Sequence, residues 1–186
     1  MWCEWMEASS VLLLSLLQAG ALNASTQAQL QQLTQNSQCD ALTQTLNRAT
    51  MLDRIKQAIS LAKRQHSVFA VLFVDLNKFK PVNDQYGHAA GDAVLQQVSA
   101  RLLHAIRDSD AVGRYGGDEF VVTLKDVNPD MLTMVCDQIR ARIRSELSTT
   151  DPARKITCSI GAAYYTPQAG NTARAESLIR EADKSV

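Results

Sequence analysis

The chain has 186 residues, of which 46% are hydrophobic and 20% charged, and its 19 Lys and Arg balance 19 Asp and Glu. That apolar content excludes an intrinsically disordered chain, and the length fits one domain with an added arm. Zero net charge gives no broad basic surface of the kind that nucleic acids select, so no nucleic-acid partner is expected; a small anion in one positive pocket stays possible.

The opening segment is helical in pattern. Leu12, Leu16, Ala19, Asn23, Thr26, Leu30, Leu33 and Ser37 follow an alternating spacing of four and three, the seam of a coiled coil with polar Asn23 and Thr26 in its middle. Two readings stand: a helix that dimerises, or an amphipathic helix packed on its own domain. Residues 1–38 are accordingly assigned to a helical linker and 39–186 to a globular domain. The apolar run over residues 11–22 is shorter than the roughly 20 residues that span a bilayer. Glu4 and Glu7 precede it without any Lys or Arg, the wrong flank for export. No membrane segment and a cytoplasmic setting are expected. Cys3, Cys39, Cys136 and Cys158 form no CxxC pair or zinc-finger spacing and read as reduced thiols.

Beyond Cys39 the periodicities alternate. Residues 51–64 read as a helix and 68–75 (VFAVLFVD) as a buried strand. Residues 91–106 form a helix with Val94, Leu95, Val98, Leu102 and Ile106 on one face. Two strands, 111–115 and 119–124, flank Gly116-Gly117 as a hairpin. A helix over 129–147 starts on Pro129, a strand covers 155–165, and a last helix runs from 173. The order is helix, strand, helix, hairpin, helix, strand, helix. It predicts an α+β fold: a central, largely antiparallel sheet flanked by helices.

Three acids stand where acids are costly unless used. Asp75 ends an apolar strand, and Asp118 and Glu119 sit at the hairpin tip. Paired strands lie about 4.8 Å apart, so these carboxylates converge if the strands pair. Clustered carboxylates repel unless a cation joins them, and oxygen-only ligands suit Mg²⁺. Alone, Gly-Gly-Asp is more often a turn than a site.

The run Arg114-Tyr115-Gly116-Gly117-Asp118-Glu119-Phe120 has company at set distances: Asp75-Leu76-Asn77-Lys78-Phe79-Lys80 ahead of Asn83-Asp84-Gln85-Tyr86-Gly87-His88, then Gly91-Asp92, and earlier Asp40-Ala41-Leu42-Thr43 with Asn47-Arg48. Together these motifs resemble the GGDEF family of diguanylate cyclases over about four fifths of the chain. The resemblance implies a nucleotidyl-cyclase or polymerase-palm-like (ferredoxin-like) fold that condenses two GTP into cyclic di-GMP, as a homodimer. It implies two Mg²⁺ (or Mn²⁺) held by Asp75, Asp118, Glu119 and the Leu76 carbonyl, with Asp118 and Glu119 catalytic. Gly116 and Gly117 would let the backbone approach the triphosphate, Asn83 and Asp92 would read guanine, and Lys80 would contact phosphate. Arg107 and Asp110 would form an RxxD site where product inhibits. On their own residues, Asp92 reads first as a helix-start residue after Gly91, and Lys80 and Arg107 read also as a solvated surface charge and a cation at a helix C-terminus; His88 is assigned a structural duty.

The chain departs from the family pattern at Gln44 and Thr45, which replace Gly and Leu of the opening turn, and at Asn77, which replaces a common Asp. Family members continue past Val186 with a Lys and an Arg that grip the triphosphate, so the resemblance implies a C-terminal truncation. The N-terminal helix reads as the last element of a longer, sensor-linked protein. The alternative functions are a catalytically weak GTP or cyclic di-GMP binding module of the same fold, and a dimerising scaffold.

Overall fold

The computed structural model describes Thr26 and residues 38–144, 156–167 and 173–186. The heptad segment, Thr26 aside, lies outside the described residues, as do Cys3 and the end of the helix expected over 129–147. A helix over Arg48–Gln65 (α1) leads into strand Phe69–Asn77 (β1), helices Phe79–Tyr86 (α2) and His88–Ala105 (α3), and hairpin strands Ala111–Gly116 (β2) and Glu119–Lys125 (β3). Helix Pro129–Arg144 (α4), strand Thr157–Tyr165 (β4) and helix Ala175–Asp183 (α5) complete it.

The sheet order is β2-β3-β1-β4, with every neighbouring pair antiparallel. Read from the other edge, this is the strand order of the ferredoxin-like βαββαβ unit. Because side chains alternate along a strand, β1 feeds two cores. Ala70, Leu72, Val74 and Leu76 face a core shared with Phe79, Val82, Val94, Val98 and Ile139 of α2, α3 and α4. Phe69, Val71 and Phe73 face the opposite core, closed by Met51, Ile55 and Ile59 of α1 and by Leu178 and Ile179 of α5. A strand buried on both faces reads as a continuous apolar run, which is why residues 68–75 lack alternation.

Several boundaries differ from the sequence reading: β1 runs two residues past Asp75 to Asn77, and α1 spans Arg48–Gln65 rather than 51–64. The segment FKPVNDQY forms its own helix, α2. Phe79 and Val82 supply the buried face, and Pro81 falls in the first turn, where its missing N–H costs nothing. Gly87, at φ +81°, ends this helix and caps the next. Consequently α3 begins at His88 rather than at Gly91, and Asp92 lies inside the helix instead of at its start. The opening turn adds a short edge to the sheet: Leu46 donates to the Val112 carbonyl at 3.0 Å and accepts from Arg114 at 2.8 Å. Gly113 makes this approach possible, since a Cβ there would meet Met51 Cβ at 2.9 Å and the Leu46 carbonyl at 3.1 Å. Among the described residues, Cys39, Cys136 and Cys158 are free thiols, and no helix is long and apolar enough to cross a membrane.

Candidate active site

The acidic residues meet at the end of the central strands. Asp75 on β1 is the direct antiparallel partner of Glu119 on β3. Both follow the parity of Phe73 and Val121, so both lie on the α1/α5 face. Asp118 sits beside them in the two-residue turn Gly117-Asp118. Burial raises the Asp75 carboxyl above its usual value, and the neighbouring Asp118 charge adds to it, against the Leu76 amide. Burial likewise raises Glu119, with Asp75 and Asp118 adding to it and Arg48 opposing. A further carboxylate, Asp183 of α5, acts on both in the same sense; the sequence reading missed it because it lies far away in the chain.

Two backbone features flank these acids. Lys78 takes a left-handed conformation at φ +63°, turning the chain straight from β1 into α2. No side chain caps the first turn of α2, so its amides face the end of β1 as a ready anion site. Lys80, exposed, lies in that turn. On the other side Gly117 adopts φ +37°, and Gly116 leaves room for the Glu119 carboxylate, whose Oε2 would stand 3.3 Å from a Cβ there. A bulge between Arg114 and Gly116 turns Tyr115 out of the ladder. The ring then meets Phe73 edge-on, with centroids 6.0 Å apart.

Arg114 fastens the hairpin. Its Nε and Nη2 donate to the Gly117 carbonyl at 3.0 and 2.8 Å, and its Nη1 reaches Asp40 Oδ1 at 3.2 Å. Asp40 in turn accepts from the Thr43 amide at 2.9 Å and hydroxyl at 2.8 Å. Burial would raise the Asp40 carboxyl, but the Thr43 hydrogen bonds and the Arg114 guanidinium outweigh it and hold it below its usual value. The opening turn and the hairpin turn are thereby locked together across 74 residues. Arg48 of α1 stacks on Tyr115, 4.4 Å from the ring centroid, and donates to its hydroxyl at 3.2 Å.

Of the expected base-reading pair, Asn83 is placed by a close contact between helices. Asn83 of α2 packs on Gly91 of α3, which Asp92 follows; any Cβ at Gly91 would collide with Asn83 Oδ1. That oxygen is buried and has no hydrogen-bond partner, which is the mark of a group awaiting a ligand or water. Asp92 itself is exposed.

The RxxD pair forms a closed turn. The Arg107 amide donates to Asp110 Oδ2 at 3.1 Å, the Asp110 amide to the Arg107 carbonyl at 3.0 Å, and the Lys125 amide to Asp110 Oδ1 at 3.0 Å. Asp110 therefore ties the turn to β3, while the Arg107 side chain is exposed without an ion pair among the described residues.

Residues 37–186 match the family described as diguanylate cyclase, GGDEF domain. The chain belongs to the GGDEF family. It is 40% identical over 133 residues to the bifunctional diguanylate cyclase/cyclic di-GMP phosphodiesterase MucR of Pseudomonas aeruginosa, covering 72% of this chain and 19% of MucR. It is 37% identical over 150 residues to the diguanylate cyclase TpbB of the same organism, covering 79% of this chain and 34% of TpbB. The chain thus spans a minor part of these curated relatives. Among solved structures, a sensory box/GGDEF family protein from Caulobacter crescentus matches with a TM-score of 0.72 at 31% identity, covering 80% of this chain and 94% of that one. The coiled coil and GGDEF domain of DgcB from the same organism, solved with c-di-GMP, matches in fold with a TM-score of 0.82 at 23% identity, covering 93% and 91%.

Two of the departures noted in the sequence have visible structural consequences. Gln44 stands at φ +58°, a left-handed conformation that glycine takes without cost and other residues do not. Asn77 donates to the Thr157 hydroxyl at 3.2 Å and accepts from Ser159 at 3.1 Å, a donor role that an Asp cannot fill. The donor set at the carboxylates is oxygen only, and among the described residues no three His, Cys, Asp or Glu side chains form a ready metal cage. One or two of these carboxylates, with phosphates and waters completing the shell, would suit a hard divalent cation.

Proposed function

We propose that this chain is a diguanylate cyclase, condensing two GTP into cyclic di-GMP with release of two pyrophosphates. The observation that carries the reading is the direct pairing of Asp75 with Glu119, with Asp118 in the adjoining turn. Asp75, Asp118, Glu119 and the Leu76 carbonyl would hold Mg²⁺, which stabilises the attacking and leaving oxygens of an in-line displacement. The first-turn amides of α2 and Lys80 receive phosphate, and Gly116-Gly117 keep the hairpin clear of it. Arg114 holds that hairpin still. Asn83 and Asp92 read the guanine edge, the carboxylate accepting from N1–H and the exocyclic amine. The 3′-hydroxyl of each GTP attacks the α-phosphate of the other, so two chains must meet; the heptad spacing of residues 12–37 supports a homodimer.

Arg107 supports product inhibition as a finer part of the reading: a guanidinium exposed at a turn is suited to bidentate binding of phosphate or guanine. Asp110 spends both carboxylate oxygens on backbone amides, so its part is to shape the turn. Incubating the purified chain with GTP and Mg²⁺ and weighing the product by mass spectrometry tests the whole. Cyclic di-GMP supports it; bound but unconverted GTP indicates the binding-module alternative instead.

A further inference from the structure

We propose that Asn77 is a positioning residue that keeps the Ser159 hydroxyl off the Asp75 carboxylate. The proposal rests on the cyclase reading above and gives a part in it to the side chain just past the acidic row.

The strand register sets up a competition. On β4, Ser159 is the direct partner of Asp75, and Thr157 the direct partner of Asn77. Direct partners hold their Cβ atoms about 5 Å apart on one face of the sheet, and diagonal neighbours stay within reach of longer side chains. Ser159 therefore faces one acceptor directly, Asp75, and another across the diagonal, Asn77. A serine hydroxyl carries one proton and can serve only one of them. It donates to Asn77 Oδ1 at 3.1 Å, while Asn77 Nδ2 donates to the Thr157 hydroxyl at 3.2 Å. The second bond is why the amide wins: Thr157 anchors the nitrogen, and the oxygen is thereby delivered to Ser159.

Asp75 is left open on this side. Among the described residues its carboxylate meets the Leu76 amide and no side-chain donor. With Asn77 removed, Asp75 becomes the acceptor opposite Ser159, and any group that needs the carboxylate must first displace that hydroxyl. The departure from the common Asp at this position fits the same role. An Asp there would also accept from Ser159, with Thr157 turning to donate, but it would add a charge beside Asp75. Asparagine diverts the hydroxyl without that charge.

The test takes the whole chain as wild type, Asn77→Ala, Ser159→Ala and the double variant. In a crystal structure of Asn77→Ala, Ser159 Oγ should lie within about 3 Å of an Asp75 oxygen. The same variant should lose about tenfold in kcat for cyclic di-GMP synthesis with KM for GTP near wild type, because Asp75 serves the reacting phosphate and not the base. Ser159→Ala alone should run near the wild-type rate. Added to Asn77→Ala, it should restore most of the lost kcat, whereas independent structural losses would add. Asn77→Val, which suits a strand and also frees Ser159, takes the place of Asn77→Ala if that variant melts early. A Ser159 that stays away from Asp75 in the variant crystal, or a double variant no faster than Asn77→Ala, would overturn the proposal. If the wild type makes no cyclic di-GMP, the cyclase reading falls alone and the crystal structure decides whether Asn77 diverts Ser159.

Discussion

Replacing Glu119 by Gln keeps the shape of the side chain and removes one charge from the acidic row. Asp75 and Glu119 are direct cross-strand partners, a position at which Cβ atoms lie about 5 Å apart. Two unit charges at about 5 Å repel by roughly 1 kcal/mol in water and about 3 kcal/mol at an effective dielectric near 20. Both side chains are only half-buried, so solvent screening selects the lower value, about 1 kcal/mol. In EDTA near neutral pH, Glu119→Gln should be the more stable protein, with Tm higher by about 3 °C. The sign with pH follows from linkage. Burial and neighbouring carboxylates raise both carboxyls in the folded state, so the folded protein binds these protons more tightly. Stability then falls as pH rises from about 4, the unfolded value, through the raised folded one. The gap between variant and wild type should open above that window and close below it. Calorimetric melting in EDTA across that range measures it, and GTP turnover in Mg²⁺ should be abolished. A variant that melts below wild type at neutral pH, or a gap that widens on acidification, refutes the repulsion; undiminished synthesis refutes the metal role.

Gln44→Gly should stabilise the fold by about 0.5 kcal/mol, because relief of the left-handed backbone exceeds the entropy that glycine adds to the unfolded chain; denaturant unfolding that shows a loss instead would mean that the turn is unstrained. Gly91→Ala should lower stability by about 1 kcal/mol or more, since its Cβ meets the Asn83 side chain and the buried Phe79 ring at 3.1 Å and overpacking outweighs the helix propensity of Ala, and it should raise KM for GTP about tenfold or more by displacing Asn83. An unchanged KM would remove Asn83 as the guanine reader. Arg107→Ala should weaken inhibition by cyclic di-GMP about tenfold while initial rates, read before product accumulates, stay near wild type; an unchanged inhibition constant would leave Arg107 without that role.

The legible parts of the fold were those with one strong period. β1 announced itself as an apolar run, and the hairpin by two strands around Gly116-Gly117. α2 was not legible because eight residues containing Pro81 make too few turns for a helical period to show. The true start of α3 was hidden for a related reason: His88, Ala89 and Ala90 carry no apolar stripe, and the signal is the backbone of Gly87, which ends one helix and opens the next. At the site, the acids were found through their motif and their anomaly at a strand end. Asp183 was not, and Arg48 was seen only as part of the opening motif, because nothing local distinguishes a charge on an amphipathic helix that faces a cleft from one that faces water. Arg114 stood in plain view beside the signature, but its partner Asp40 is 74 residues away, and only the folded chain pairs them.

The placement of the site follows from alternation along β1. Leu76 faces the core closed by α2, α3 and α4, and Asp75 the one closed by α1 and α5. Everything proposed to read the base, Asn83, Gly91 and Asp92, lies on helices of the first side. The acids Asp75, Glu119 and Asp183, and Arg48 with them, belong to the second. A buried strand separates the two along its whole length, so only its end is open to both. A nucleotide that uses both sets must cross there, with its base on one side and its phosphates over the carboxylates. Unusual backbones and side-chain bracing occur at that crossing: Lys78 at φ +63°, Gly117 at φ +37°, and Asn77 held between Thr157 and Ser159. These special conformations stand where one ligand would have to satisfy two otherwise separate halves of the domain.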